Sequence, residues 1–163
     1  MLDKFLFNLA TLFGVGKISK APGTVATLAT VPIWYALAQT GPLVYMVVVF
    51  LLFPIGIWAA QIYERQSDTH DAKEIVIDEV VGFLITMTWL PITWQSAALG
   101  FCLFRFFDIV KPPPIRQLDK KIPGGFGVMV DDVAAGIISS ILMQLIYNQT
   151  NWLGIQISTL TVN

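Results

Sequence analysis

The stretch VVGFLITMTWLPITWQSAALGFCLF, residues Val80–Phe104, carries no charged side chain, and the way it is threaded decides the fold. Its 25 residues exceed the roughly 20 that a bilayer-spanning helix needs. Yet Pro91-Ile92-Thr93-Trp94-Gln95 interrupts it with a turn signal. As one tilted span, it would leave the charged residues on its two flanks on opposite faces of a bilayer, roughly 30 Å apart. As a hairpin, with helices over about 78–91 and 95–110 whose arms borrow flanking residues and need not cross fully, it returns them to the same face. Charge favours the hairpin. With it all 10 Lys and Arg fall on one side, which the positive-inside rule makes cytoplasmic. Trp89, Trp94 and Trp152 then fall near the other interface, as aromatic belt residues do.

Working outward, the 163-residue chain is 55% hydrophobic and only 13% charged, too apolar for an ordinary soluble domain. Its charges are confined to three islands within residues 1–20, 64–79 and 105–132. The charge-free stretch 21–63 is too long for one span, and Gln39-Thr40-Gly41-Pro42 splits it into two helices of near-spanning length. Pro22 suits the first helix's start, with Thr24 as N-cap. Pro32 and Pro54 lie inside the arms, where kinks are expected. Residues 3–13 place Phe5, Leu6, Leu9, Leu12 and Phe13 near helical spacing, a short amphipathic helix for the interface. The last helix is expected from about Asp131 to Tyr147, followed by an uncharged polar tail. The fold class is therefore all-α: a multi-spanning helical membrane bundle of two helical hairpins plus a C-terminal helix, with a short amphipathic N-terminal helix, in a single domain over 1–163. A net charge of −1 leaves no basic surplus for nucleic acid. Cys102, the one cysteine, supports neither an internal disulfide nor a multi-cysteine metal site. The N-terminus lacks a basic start and a cleavage site, and reads as mature sequence.

The chemistry is carried by an internal echo. Ile77-Asp78-Glu79-Val80-Val81-Gly82 answers Val130-Asp131-Asp132-Val133-Ala134-Ala135-Gly136. Each copy sets two adjacent carboxylates at the start of an apolar helix, with glycine four residues beyond Asp78 or Asp132. Acid and glycine then share a helix face, so another helix can come close just where the carboxylate points. One such pair serves the helix macrodipole. Two on one side form a four-acid cluster, Asp78, Glu79, Asp131 and Asp132, whose mutual repulsion calls for a cation. All-oxygen ligands favour a hard ion, Mg²⁺ above Zn²⁺.

The third island supplies opposite charge. Arg105 and Asp108 stand at i, i+3 on an otherwise apolar helix, and Lys111 precedes a proline stop at Pro112-Pro113-Pro114. Arg105 reads as a structural pair with Asp108 or as a phosphate clamp, and Lys111 as a snorkelling lysine or a phosphate contact. Ile122 to Met129 reads as a glycine-rich loop in which Gly124 and Gly125 turn backbone N–H groups inward as an anion nest. Arg116, Lys120 and Lys121 face anionic headgroups, with Asp119 near them. A cysteine phosphatase loop from Cys102 would need arginine where Asp108 stands. A two-histidine phosphatase mechanism fails because the chain has one histidine, His70, at most auxiliary together with Asp71.

These residues resemble the phosphatidylglycerophosphatase A family of bacterial membrane lipid phosphatases. The resemblance runs from Gly14 to about Ile141. It rests on Ala21-Pro22-Gly23-Thr24, on His70-Asp71 followed by Ile75 to Gly82, on Phe104 to Ile115, and on Gly124 to Asp132 followed by Ala135-Gly136. It implies removal of the terminal phosphate of phosphatidylglycerophosphate to give phosphatidylglycerol, dependent on Mg²⁺, at the inner (cytoplasmic) membrane, with a lipid substrate and no required protein partner. Asp78, Glu79, Asp131 and Asp132 then hold Mg²⁺, Arg105 and Lys111 grip phosphate, and Asp108 orients Arg105 or handles a proton. Water and a carboxylate both stay open as nucleophile. The rival readings are a transporter or ion-binding membrane protein with the same acids, a CDP-alcohol phosphotransferase, whose Asp-Gly-Ala-Arg signature is absent, and a purely structural subunit.

Overall fold

The structure is a computed structural model and describes residues 1–18, 20–68, 72–113, 115 and 124–154. Among these the regular elements are all helical: α1 Leu2–Ala10, a 3-10 turn Val15–Lys17, α2 Pro22–Ala38, α3 Pro42–Ser67, α4 Ile77–Thr86, α5 Trp94–Val110 and α6 Gly124–Gln149. α3 and α6, with 26 residues each, are long and apolar enough to cross a membrane. At 1.5 Å per residue each measures about 39 Å, α5 about 25 Å and α4 only about 15 Å.

The chain does turn back at 87–93, which settles the threading. α4 ends at Thr86, five residues short of the expected 91. The reason is local: Trp89 takes a left-handed φ of +57°, and polar side chains from other helices occupy the carbonyls released there. Tyr45 donates to the Leu84 carbonyl at 2.6 Å and Gln144 to the Thr88 carbonyl at 2.8 Å. Thr93 restarts the helix by accepting from Ser96 N–H at 3.2 Å and donates its own proton to the Leu153 carbonyl at 2.8 Å. Trp89, Trp94 and Trp152 are exposed around this turn, at the end remote from the acids.

α4 is the centre of the molecule. Seven of its residues are buried, from Ile77 to Thr86, and it packs chiefly against α6, with α2 and α3 on other sides. The two sequence hairpins are therefore splayed, since α2 and α3 meet α4 more than each other. Outer faces are apolar instead of charged: Leu43, Val47, Phe50 and Leu51 on α3 and Ile137, Ile141 and Leu145 on α6 are exposed. The buried hydroxyls of Thr27 and Thr30 are satisfied within their own helix, donating to the Gly23 and Ala26 carbonyls, each at 2.8 Å. Such an apolar exterior suits contact with lipid.

Three sequence expectations are corrected. α2 starts with Pro22 in its first turn and Ala21 at the N-cap, without a side-chain cap, so Thr24 lies inside the helix. α1 stops at Ala10, because Leu12 and Phe13 turn left-handed. α6 begins at Gly124, not Asp131, so the presumed glycine loop is its first two turns. Its glycines serve close packing: a Cβ on Gly125 would stand 2.5 Å from the Ile57 carbonyl of α3. The helices run through Pro32 and Pro54.

A close backbone approach joins the two echo motifs. A Cβ on Gly136 would stand 2.5 Å from the Gly82 carbonyl, and one on Gly82 would stand 2.8 Å from the Asp132 carbonyl. Gly136→Val is expected to force the helices apart and destabilise the protein by about 1–3 kcal/mol, as overpacking does. Thermal unfolding in detergent measures it. An unshifted midpoint would show that α4 and α6 do not depend on this contact.

Candidate active site

Asp78 and Glu79 occupy the first turn of α4. Asp131 and Asp132 lie about 10 Å along α6, counting 1.5 Å per residue from Gly124. They are 5% and 3% exposed, so they sit deeper than the helix-start positions read from the sequence. The Gly82–Gly136 contact brings the two pairs onto one site. Carboxylate oxygens of Asp78, Glu79 and Asp132 all lie within 4.8 Å of one another. Asp131 faces differently, forming an ion pair with the Lys111 ammonium.

Four carboxylate oxygens, Asp78 Oδ1, Glu79 Oε2, Asp131 Oδ1 and Asp132 Oδ2, are shut away from the surface and find no hydrogen-bond donor among the described residues, while the other oxygen of Asp131 meets Lys111. Orphaned anionic acceptors so close together repel one another unless a cation sits between them. The donor set thus fits a hard divalent ion, whose preferred ligands are carboxylate oxygens.

α5 contributes the counter-charge. Arg105 Nη1 lies 2.5 Å from Asp108 and 3.7 Å from Glu79, with all three side chains about 13–14% exposed. Lys111 closes α5 with a left-handed φ of +44°, a strained backbone for a non-glycine residue, while its N–H still bonds the Phe107 carbonyl at 2.9 Å. That bend aims Lys111 across to Asp131.

Together these groups line a cleft of about 330 Å³. Asp78, Glu79, Asp108, Asp131 and Asp132 form its acidic wall. Lys111 and Lys73 supply amines, and Pro22, Gly124 and Gly127 are among the uncharged residues of the lining. Arg105 is not part of the lining; it stands behind Glu79 and Asp108. Gly124 lines the cleft and has a φ of +75°, whereas Gly125 is packed against α3. His70 and Asp71 lie outside the described residues, as do Arg116, Asp119, Lys120 and Lys121.

Sequence reasoning missed Gly23 and Lys73. A Cβ on Gly23 would overlap Glu79 Oε1 and stand 2.9 Å from Arg105 Nη1. Only glycine lets the first turn of α2 close over that ion pair. The Ala-Pro-Gly-Thr motif was the available signal.

A family model for phosphatidylglycerophosphatase A matches residues 8–147. The chain belongs to the phosphatidylglycerophosphatase A family. It is 40% identical over 139 residues to the phosphatidylglycerophosphatase A of Escherichia coli K12, covering 85% of this chain and 81% of the relative. It is 41% identical over 137 residues to that of Haemophilus influenzae Rd, covering 83% and 84%. A Bacteroides thetaiotaomicron protein named as a candidate phosphatidylinositol-3-phosphatase is 39% identical over 144 residues, covering 83% and 89%. No solved structure matches the chain. Membership in this family makes the chain a phosphatase enzyme, and the acidic cleft lies wholly within the matched residues.

The geometry separates the four acids. Titration of the detergent-solubilised protein with Mg²⁺ in a calorimeter is expected to show binding that Asp78→Asn or Asp132→Asn weakens about tenfold or more. Asp131→Asn is expected to cost less, because that carboxylate faces Lys111. Equal losses at all four positions would instead make Asp131 a ligand of the same ion.

Proposed function

We propose that the protein hydrolyses phosphatidylglycerophosphate to phosphatidylglycerol and inorganic phosphate, in a Mg²⁺-dependent reaction at the cytoplasmic face of the bacterial inner membrane, its helices forming a multi-spanning bundle. The observation that carries this reading is three orphaned carboxylates gathered opposite Lys111 in one cleft, at one end of an apolar bundle, in a chain of this family. Charge collected at one end, where a headgroup enters, favours hydrolysis over an ion pathway through the bundle.

Asp78, Glu79 and Asp132 would hold the Mg²⁺, which when bound supplies Lewis-acid polarisation of the phosphoryl group and charge neutralisation. Lys111 meets the phosphate oxygens, and Asp131 holds the lysine in place while the cleft is empty of substrate. Arg105 restrains Glu79 and Asp108 from behind and lowers the repulsion among the acids. Asp108, at the lining, is placed to handle the proton. The oxygen of water becomes bonded to phosphorus, the bond from phosphorus to the glycerol oxygen breaks, and that oxygen takes a proton. The acyl chains stay in lipid throughout.

Phosphate release by the purified protein in detergent tests this. Phosphatidylglycerophosphate, phosphatidic acid and a soluble phosphomonoester are compared with and without Mg²⁺. Turnover is expected to favour the first and to vanish with chelator. Asp132→Asn is expected to lower kcat on the order of 10²-fold, the usual cost of removing one charge-stabilising group, with helical content unchanged by circular dichroism. Full turnover in chelator, or in that variant, refutes the metal role.

A further inference from the structure

A second cleft, of about 480 Å³, opens beside the acidic one and shares Pro22 and Lys73 with it. Three lysines line it, Lys17, Lys20 and Lys73, against one acid, Glu74, among the described residues. No ion pair to these lysines occurs among the described residues. The walls are held by backbone contact. A Cβ on Gly16 would overlap the Glu74 carbonyl, so the 3-10 turn presses on the strap before α4. Val76 N–H ties that strap to the Ala10 carbonyl at 2.8 Å. Lys17 is steered as well: its ammonium lies 4.9 Å from the Phe7 ring centroid and 5.8 Å from that of Tyr63, and the two rings stack at 4.5 Å.

We infer that this basic cleft is a second anion subsite, which receives the phosphodiester of the same lipid whose terminal phosphomonoester enters the acidic cleft. The inference rests on the function proposed above and deepens it. Phosphatidylglycerophosphate carries two phosphates separated by one glycerol, and the two clefts share a wall, so one headgroup reaches both. The acidic cleft, with five carboxylates, is poorly suited to a second anion. The basic cleft has a surplus of positive charge for one. Ile18, next to Lys17 and 80% exposed, offers apolar surface where the diacylglycerol beyond the diester begins. Phosphatidic acid has no second phosphate and gains nothing from this cleft. The lysines thus determine specificity and take no part in bond breaking.

The test compares kcat/KM for phosphatidylglycerophosphate and phosphatidic acid, each in neutral-detergent micelles, for the wild type, Lys17→Gln/Lys20→Gln and Lys17→Arg/Lys20→Arg. Lys73 is left in place because it also lines the acidic cleft. Both altered positions are exposed, and circular dichroism checks the fold. The Gln variant is expected to lower the ratio of the two kcat/KM values about tenfold, through KM, as losing a charge-assisted contact does. The Arg variant is expected to restore it. An unchanged ratio overturns the subsite, and so does an equal loss on both lipids, which would mark general attraction to anionic surfaces. A wild type that hydrolyses phosphatidylglycerophosphate with a ratio indifferent to these lysines refutes the subsite alone. One that releases phosphate from neither lipid refutes the proposed function and the subsite with it.

Discussion

The backbone of α4 touches the backbone of α6 at Gly82 and Gly136, and the site depends on that contact. Any side chain at either position would hold the helices apart by the width of at least a methyl group. Asp78 stands one helical turn before Gly82, and Asp132 one turn before Gly136, so the closest point of the crossing lies directly beside the carboxylates. The crossing therefore concentrates negative charge where water is scarce. Mutual repulsion of the acids opposes the packing, and the site is stable to the extent that other groups offset it.

Those groups come chiefly from α5 and from the segment after it. Arg105 lies between Asp108 and Glu79 behind the acidic wall, Lys111 reaches Asp131 and Lys73 lines the cleft, so three cations stand against five acids. The translocon scale puts an acid at the centre of a membrane helix at about 2.5–3.5 kcal/mol. Asp131 and Asp132 stand about 10 Å into α6 and are 5% and 3% exposed, and burial of acids is costly unless they are paired. The residual deficit is concentrated on Asp78, Glu79 and Asp132, whose carboxylate oxygens lie within 4.8 Å of one another. A divalent cation is the smallest addition that closes it.

The shortness of α4 is as consequential as its composition. A helix of about 15 Å covers half of a hydrocarbon layer of about 30 Å. It is enclosed by α2, α3 and α6. Its loose carbonyls are satisfied by Tyr45 and Gln144, side chains of the two long helices. The long helices thus provide apolar exterior and hydrogen-bond donors, and leave the short one free to present its acids at the mouth of a cleft.

The sequence by itself determined the helical class, the long apolar segments, the existence of a turn that returns the chain, read at 91–95 and found at 87–93, and the identity of the acids, because charge and its spacing act locally and report directly on burial. It also determined the Asp78–Gly82 and Asp132–Gly136 registers, which follow from helical periodicity. Only the tertiary structure decided that α4 is central and short, since its end is set by side chains 39 and 56 positions away in the chain. Only the tertiary structure decided that Gly124 and Gly125 begin a helix, because glycine signals a loop locally and a close helix approach globally. The division of the four acids into three grouped around a gap and one paired with Lys111, and the placement of Arg105 behind the wall, depend on side-chain directions across three helices. No spacing along the chain encodes those directions.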